Sequence, residues 1–559
     1  MSRESLPQDI ILLICQELTW QRDFGTLFNC SLVSVRVASL ALEQLYSIHE
    51  LSPANTAETF NLSKVARLWK SLLLSSIGKT AYPYCTWIRS LSLGNYGSLL
   101  EDIWNNKAVD LLEPLEDMKQ FLVLRGNQTW KTKITRNRGM PFFDFQRSMT
   151  ESGDSLTLYI KQMADLSKTA VSLNHLEASS LPADLLPVWI ARIPSLQSLQ
   201  LQEASALTPE AASAIARWCP KFSEFVCLLC SGASADENVA SFLQILPRDS
   251  LQCFEIISYN DIGLQTLRAL NAHARSLKTL TLGSLPGDVM NSLNALPSCT
   301  AIEHLSLENQ RHNPWHLAGN DNLLKQVVDW IGSCKNLRTL KLSNIGDSLL
   351  IIKDVLASPN VQLLALDLQG FSSQGDILDA AAWSALGRQE ILEDLTIGGL
   401  DGMPDALVVH ETPVLADSIC QLRHLKKLDL KRASIRAIEL RQIVTALPQL
   451  TNLGFGGEWI DDQILESVSN LQNLKSLLVN ALSVFTFDGL RTFATKLDPE
   501  QHKGIVVEIN NQIGKWKFDR DQEDWLIEYF TTELEGRIDI GVFKDPDEAH
   551  EDDFTSASD

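Results

Sequence analysis

From residue 86 onward one short pattern keeps returning: an apolar residue, two variable ones, an apolar residue, one variable residue and a last apolar one. Clear windows begin at Ile88, Leu173, Leu196, Phe222, Leu251, Leu277, Ile302, Leu337, Leu363, Leu392, Leu425, Leu450 and Leu474, with a weaker one at Met118. From Leu173 on, successive starts lie 23, 26, 29, 26, 25, 35, 26, 29, 33, 25 and 24 residues apart. A strand turns alternate side chains to opposite faces, so each window reads as a short strand with one apolar face. One such strand cannot bury that face alone. Repetition at a near-constant period implies stacked neighbours that share a continuous core. Amphipathic stretches between windows, such as 209–218 and 263–274, read as helices that close each unit.

Nine of the eleven spacings fall within the roughly 20–29 residues of a leucine-rich repeat. The expected fold is therefore α/β: a leucine-rich-repeat solenoid shaped as a horseshoe, with a parallel sheet on the concave face and helices on the convex face. The array spans 86–504, about 13–14 repeats, with an insertion at 125–170. The two long spacings place loops at 309–320 and 398–413. Residues 505–543 read as a C-terminal cap over the last repeat's core, and 544–559 as a disordered acidic tail.

A repeat array grows by adding units, so a length of 559 residues does not require several separate cores. The net charge of −21 argues against a general nucleic-acid binder, which needs a basic footprint to displace counterions. One stretch, 125–147, runs the other way: Arg125, Lys131, Lys133, Arg136, Arg138 and Arg147 face only Asp144, beside Trp130, Phe142, Phe143 and Phe145. It reads as a surface hairpin packing its aromatics on the solenoid rather than as a base-stacking platform. The first apolar run, Ile10–Cys15, is too short to span a membrane and follows no basic segment, so neither a membrane nor a secretory route is expected. Ten cysteines without such a signal imply reduced thiols, in the cytoplasm or the nucleus. Cys227 and Cys230 form one CxxC without a second pair or a nearby His, and Cys227 reads as a filler of a buried strand position.

Ahead of the array, residues 1–50 read as an all-α module and 51–85 as a helical linker that packs it onto the solenoid. Ile10, Ile11, Ile14 and Leu18 recur at helical spacing after Pro7. Phe24, Leu27 and Phe28 suggest a second helix, and Val33, Val37, Leu40 and Leu45 a third. Three short helices cannot bury all of that apolar surface by themselves. The string Leu6-Pro7-x-Asp9-Ile10, then Ile14, Leu18, Leu27 and Val33-Ser34-x-Arg36, resembles the F-box pattern, with Asp9 where Glu is usual and Val37 where an aromatic is common. Together with the repeats, the chain resembles the fungal type of F-box/leucine-rich-repeat protein. Cys219, Cys299 and Cys334, each three residues before a strand's first apolar position, are similar to a cysteine-containing repeat subtype common in such proteins.

What the resemblance implies is a substrate-recognition subunit of an SCF-type cullin–RING ubiquitin ligase, acting in ubiquitin-dependent protein degradation. Leu6, Pro7, Ile10, Ile14, Leu18, Leu27 and Val33 would then be partly exposed to a Skp-family adaptor, and the solenoid would hold a protein substrate. The alternative is a ligase-independent interaction scaffold that retains the module. No nucleophile elbow, phosphate loop or metal motif occurs, so no catalytic residue, metal or cofactor is expected and the chain is not read as an enzyme. The acidic pairs at 461–462 and 521–524 sit at expected helix starts, where carboxylates stabilise the N-terminus.

For substrate the sequence offers Lys427, Lys431 and Arg432, at variable positions of one strand and its exit. Lys427 falls level with Asp394 of the preceding repeat. Lys431 and Arg432 fall level with Gly398 and Gly399 on one side and Gly456 and Gly457 on the other, with no counter-charge at those positions. The pair reads as a notch for an acidic or phosphorylated segment. The other reading is tight-turn glycines beside two solvated cations.

Overall fold

The computed structural model describes residues 6–47, 62–105, 116–126, 143–179, 181–310, 315–316, 321–373, 375–399, 407–408, 413–513 and 518–543. Contacts divide the chain into two compact units, Met1–Ser276 and Leu277–Asp559. Among the described residues no helix is long and apolar enough to cross a membrane.

The first unit opens on three helices, α1 (Gln8–Trp20), α2 (Phe24–Ser31) and α3 (Val35–Ser47). Pro7 takes the cap position just before α1, where its missing N–H costs nothing. Asp23 caps α2 by accepting from the Thr26 amide at 3.0 Å. Cys15, Leu27 and Ala41 form the buried centre of the three helices, with Ile11, Leu18, Cys30 and Leu45 packed around it. Helix α4 (Leu62–Ser75) ties this module to the first repeat. The Tyr46 hydroxyl lies 2.7 Å from that of Ser71, and the Tyr46 ring stacks on Tyr84 at 4.7 Å, with Trp87 closing the aromatic cluster.

Strands β1 (Ser90–Ser92), β2 (His175–Ala178), β3 (Ser198–Glu203), β4 (Glu224–Leu229) and β5 (Cys253–Ile256) pair in parallel, each with the next. The central apolar residue of each window falls in one register, Leu91, Leu176, Leu199, Phe225 and Phe254, all fully buried. β1 pairs directly with β2, which corrects the weak window at Met118: Glu116–Phe121 is a 3-10 helix, not a strand of the ladder. The chain between them forms α5 (Leu93–Asn105) and the long α6 (Phe145–Ser167). The basic residues 127–142 lie outside the described residues, while Phe143 is buried and bridges Leu124.

Glycine is required where α6 packs. A Cβ on Gly153 would lie 2.3 Å from the buried Trp189 ring and 2.8 Å from Leu93. Gly153→Ala should therefore cost about 1–3 kcal/mol through overpacking, read as a lower denaturant midpoint at unchanged slope. An unchanged midpoint would show that the ring yields freely.

The second unit repeats the scheme with β6 (Thr279–Leu285), β7 (His304–Asn309), β8 (Thr339–Ser343), β9 (Ala365–Gln369) and β10 (Asp394–Gly398). β11 (Leu407–Val408) leaves the main sheet to pair with β13 (Ala433–Ser434), while β12 (Lys427–Leu430) and β14 (Asn452–Ile460) carry the sheet on. β15 (Ser476–Ser483), β16 (Val506–Ile513) and β17 (Arg537–Phe543) follow. The central column runs unbroken from Leu280 through Leu305, Leu340, Leu366, Leu395, Leu428, Leu453 and Leu477 to Val507 and Ile538. Burial of each such side chain contributes roughly 1.5–3 kcal/mol before ordering costs. Each unit is thus a stretch of leucine-rich-repeat solenoid. The stretch 505–543, read from sequence as a cap outside the array, supplies two further parallel strands joined by the helix Arg520–Thr532.

The position three residues before a window's first apolar residue has a defined job. Cys219 Sγ donates to the Ile193 carbonyl at 3.4 Å and Cys334 Sγ to the Cys299 carbonyl at 3.6 Å, each reaching the end of the preceding repeat. Gln389 Nε2 makes the same reach to Leu356 at 3.3 Å, and His502 Nε2 to Leu471 at 3.0 Å. A carbonyl only accepts, so Nε2 of His502 carries the proton. Buried carbonyls need such donors, and thiol, amide and imidazole all serve.

Candidate functional site

The N-terminal module carries apolar residues on two faces of α1. Ile11, Cys15 and Leu18 follow helical spacing into the three-helix core, whereas Leu6, Ile10, Leu13 and Ile14 follow it outward. Leu6, Pro7, Ile10, Ile14 and Val33, five of the expected adaptor-facing residues, are exposed. The other two are not. Leu27 is fully buried and Leu18 packs against the same core, because they face α3 and hold the module together. The exposed face instead gains Leu13, Trp20, Phe28, Leu32 and Val35, none of which follows from the motif letters. The signal available was that α1 is apolar on more faces than one core can use. Nine of the 23 exposed large apolar side chains among the described residues lie within 6–35, a concentration that marks a surface meant to be covered.

The second surface is the solvent-facing side of the sheet in the Leu277–Asp559 unit. Lys427 Nζ lies 3.5 Å from Asp394 on the neighbouring strand, with which it is in register. Lys341 pairs with Asp367 in the same manner at 3.2 Å. Lys431 finds a counter-charge within its own repeat, although the equivalent positions of the neighbouring repeats hold none: its Nζ lies 2.8 Å from Asp429, whose other oxygen accepts from the Lys431 amide at 3.0 Å. Lys431 lies in the turn just after β12, so its partner comes from the end of the strand it follows rather than from a neighbouring repeat. Arg432 Nη1 donates to Gln369 Oε1 at 3.0 Å, spanning β10 to reach β9.

The glycines beside these cations serve close approach. A Cβ on Gly398 would stand 2.8 Å from that of Arg432, and one on Gly456 would stand 2.6 Å from the carbonyl oxygens of both Lys431 and Ala433. On the Gly398 side lies a depression of about 250 Å³, lined by Gln369, Thr396, Ile397, Gly398, Asp429, Lys431 and Arg432.

In the first unit the corresponding face holds His175, whose Nδ1 lies 2.9 Å from the Ser198 hydroxyl. Burial lowers the imidazole pKa against the pull of Glu224, favouring the neutral ring. Burial also pushes the Glu177 carboxyl from its ordinary 4.5 up to about 7. The folded chain therefore holds this proton more tightly than the unfolded chain. Its contribution to stability is complete below the ordinary value and is lost as pH rises through about 7. Glu177→Gln should melt with the wild type near pH 4.5 and several degrees above it at about pH 8. An equal shift at both would assign the effect to packing.

None of the ten cysteines is in a disulfide. Burial pushes Cys85, Cys219, Cys227, Cys230, Cys253, Cys299 and Cys334 up to about 12, far from a reactive thiolate. Cys227 sits buried in β4, as its position in the window implied. Among the described residues no group of three or more His, Cys, Asp or Glu could hold a metal ion.

No family model matches the chain, and no curated protein matches it. Among solved structures it is similar to an internalin from Listeria monocytogenes, at 14% identity and a TM-score of 0.32, covering 62% of this chain and 81% of that one. It is also similar to the yeast Rad7 and Elc1 complex, at 13% identity and a TM-score of 0.31, covering 59% of this chain and 90% of that one. Likenesses of this size say nothing about function, and the repeat architecture stands on the strand register itself.

Proposed function

We propose that this protein is the substrate-recognition subunit of a cullin–RING ubiquitin ligase of the SCF type. Its N-terminal module is an F-box that docks a Skp-family adaptor, and its repeats hold the protein to be ubiquitinated. The observation that carries this reading is the exposed apolar face of α1, α2 and the turn before α3, on the module whose letters resemble the F-box. A module that closes its own core and still presents Leu6, Ile10, Leu13, Ile14, Phe28 and Val33 to solvent has a partner of matching apolar character. The chain itself supplies no chemistry in this reading: the ligase's other subunits do, and this one sets which protein is brought to them. Its ten cysteines outside any disulfide suit the cytoplasm or the nucleus, where such ligases work.

Co-purification of the full chain with a Skp-family adaptor and a cullin tests the proposal. Stoichiometric capture is the expected result. A chain that captures neither, while its repeats are folded, is a ligase-independent scaffold.

A further inference from the structure

We infer that the groove between two neighbouring helices of the first unit, α7 (Leu185–Arg192) and α8 (Pro209–Trp218), receives an acidic amphipathic helix of another protein. The site is independent of the ligase reading and lies on a different part of the chain. It begins in the sequence. α7 turns Leu186, Trp189 and Ile190 inward, and α8 turns Ala211, Ala212 and Ile215 inward, all of them buried. Helical spacing then leaves Pro187, Val188 and Ala191 on one facing flank, and Ser213, Ala214 and Trp218 on the other. Ala191 and Ala214 are too small to close the gap. About 560 Å³ stays open between the helices, with Arg192 and Arg217 completing the lining. Val188 and Trp218 remain 42% and 43% exposed there.

The walls are fixed in advance. The Cys219 thiol, just past α8, donates to the Ile193 carbonyl just past α7, and Arg192 Nη1 ties α7 back to Asp154 on α6 at 2.7 Å. Helices of 8 and 10 residues run for roughly 12–15 Å, enough for roughly two to three turns of a third helix laid along them. Such a helix docks by apolar side chains at i, i+3 and i+4, and a preformed groove spares the cost of reorganisation. Charge then selects the sign of the partner. No carboxylate lines the groove, although the chain carries 69 acidic residues against 48 basic ones. Arg192 is answered by Asp154. Arg217 stands 4.8 Å above the Trp218 ring and has no ion pair among the described residues. Its guanidinium is held at the lip by an aromatic face rather than by an anion, so a carboxylate beside the partner's apolar stripe can meet it. A second copy of the chain fits less well, because a two-fold pairing would set this guanidinium against its own counterpart.

Fluorescence anisotropy of a labelled synthetic peptide tests the assignment. The probe has about 15 residues, near the length at which an isolated helix begins to hold, with Leu along one face and Glu elsewhere; the control carries Lys in place of every Glu. The N-terminal module also exposes apolar side chains, so the titrations use the full chain carrying Leu13→Asp and Ile14→Asp. In that background the Glu peptide should bind saturably and the Lys peptide at least about tenfold more weakly, as like charges meet. Trp218→Ala should weaken the Glu peptide at least about tenfold, as loss of a central aromatic contact does. Arg217→Ala should weaken it about two- to fivefold, the scale of one exposed ion pair, and Arg217→Glu should narrow the gap between the two peptides. Both positions are exposed, so the melting transition should not move. No saturable binding of the Glu peptide, a Lys peptide that binds as well, or binding that survives Trp218→Ala overturns the proposal. A wild-type dimer that Trp218→Ala abolishes, seen by size-exclusion chromatography with light scattering, overturns it in favour of a second copy.

Discussion

Leu13→Asp with Ile14→Asp abolishes capture of a Skp-family adaptor and leaves the melting transition of the repeats unchanged. Both side chains are about half exposed in the free chain, at 59% and 45%, so a carboxylate there stays hydrated and costs the fold little. Covered by an apolar partner, each would lose that hydration without a compensating bond, at several kcal/mol apiece. Two such penalties exceed about 5 kcal/mol, more than a thousandfold in affinity. Leu18→Asp and Leu27→Asp are poor versions of the same experiment, because both positions lie in the module's own core and would unfold it. Val35→Asp, at a position 79% exposed on the same module, also keeps the core and should weaken capture without moving the melt. Undiminished capture by the Leu13/Ile14 double variant would remove the F-box assignment.

Ending the chain at residue 504 leaves an aggregating or partly unfolded protein, whereas removing 544–559 changes neither melting nor monomer content. The longer deletion takes away Ile505, Val507, Ile509, Leu526, Phe530, Leu534 and Ile538, all 6% exposed or less. At roughly 1.5–3 kcal/mol each, on the order of 10–20 kcal/mol of apolar burial goes with them, against the ordering entropy of the same segment. It also strips Trp525 from Phe487 and Arg491, which contact its ring at 5.8 and 5.5 Å. The newly exposed edge of β15 would then carry unpaired backbone groups beside an apolar face, the usual template for association. In the intact protein the last described strand is β17, and Arg537 and Asp539 place charges along it. Size-exclusion chromatography and a thermal melt of both truncations decide the matter: a monomer ending at 504 with unaltered melting would mean that the final two strands are dispensable.

Much of the fold was legible because strand period and repeat period are independent signals that agree at Leu280, Leu305, Leu340 and the residues that continue their column. The misses have separate physical causes. Met118 has the letters of a window, but Lys119 and Gln120 follow it in a 3-10 helix, and no neighbouring strand pairs with it. The segment 505–543 was read as a cap outside the array, whereas Val506–Ile513 and Arg537–Phe543 are strands that continue it. In the module, letters alone cannot divide the apolar residues of α1 between its own core and a partner. Helical phase does so once α3 is seen to cover Cys15 and Leu27, which sends Ile10, Leu13 and Ile14 outward. Beside Lys431 and Arg432, comparing equivalent positions of successive repeats found the glycines but could not see Asp429, near the end of β12 and two residues before Lys431 in the turn.

The module's closure within residues 8–47 has a consequence in time. These residues precede the repeats in the chain, so they leave the ribosome first, and their core of Cys15, Leu27 and Ala41 needs nothing that comes later. At about 5–20 residues per second, synthesis through residue 543 occupies roughly another 25–100 s. Throughout that interval a folded module displays its apolar face while the strands behind it are still being added. A nascent chain of this protein therefore exposes apolar surface while its repeats are incomplete, and a chaperone supplied early should raise the yield of full-length protein.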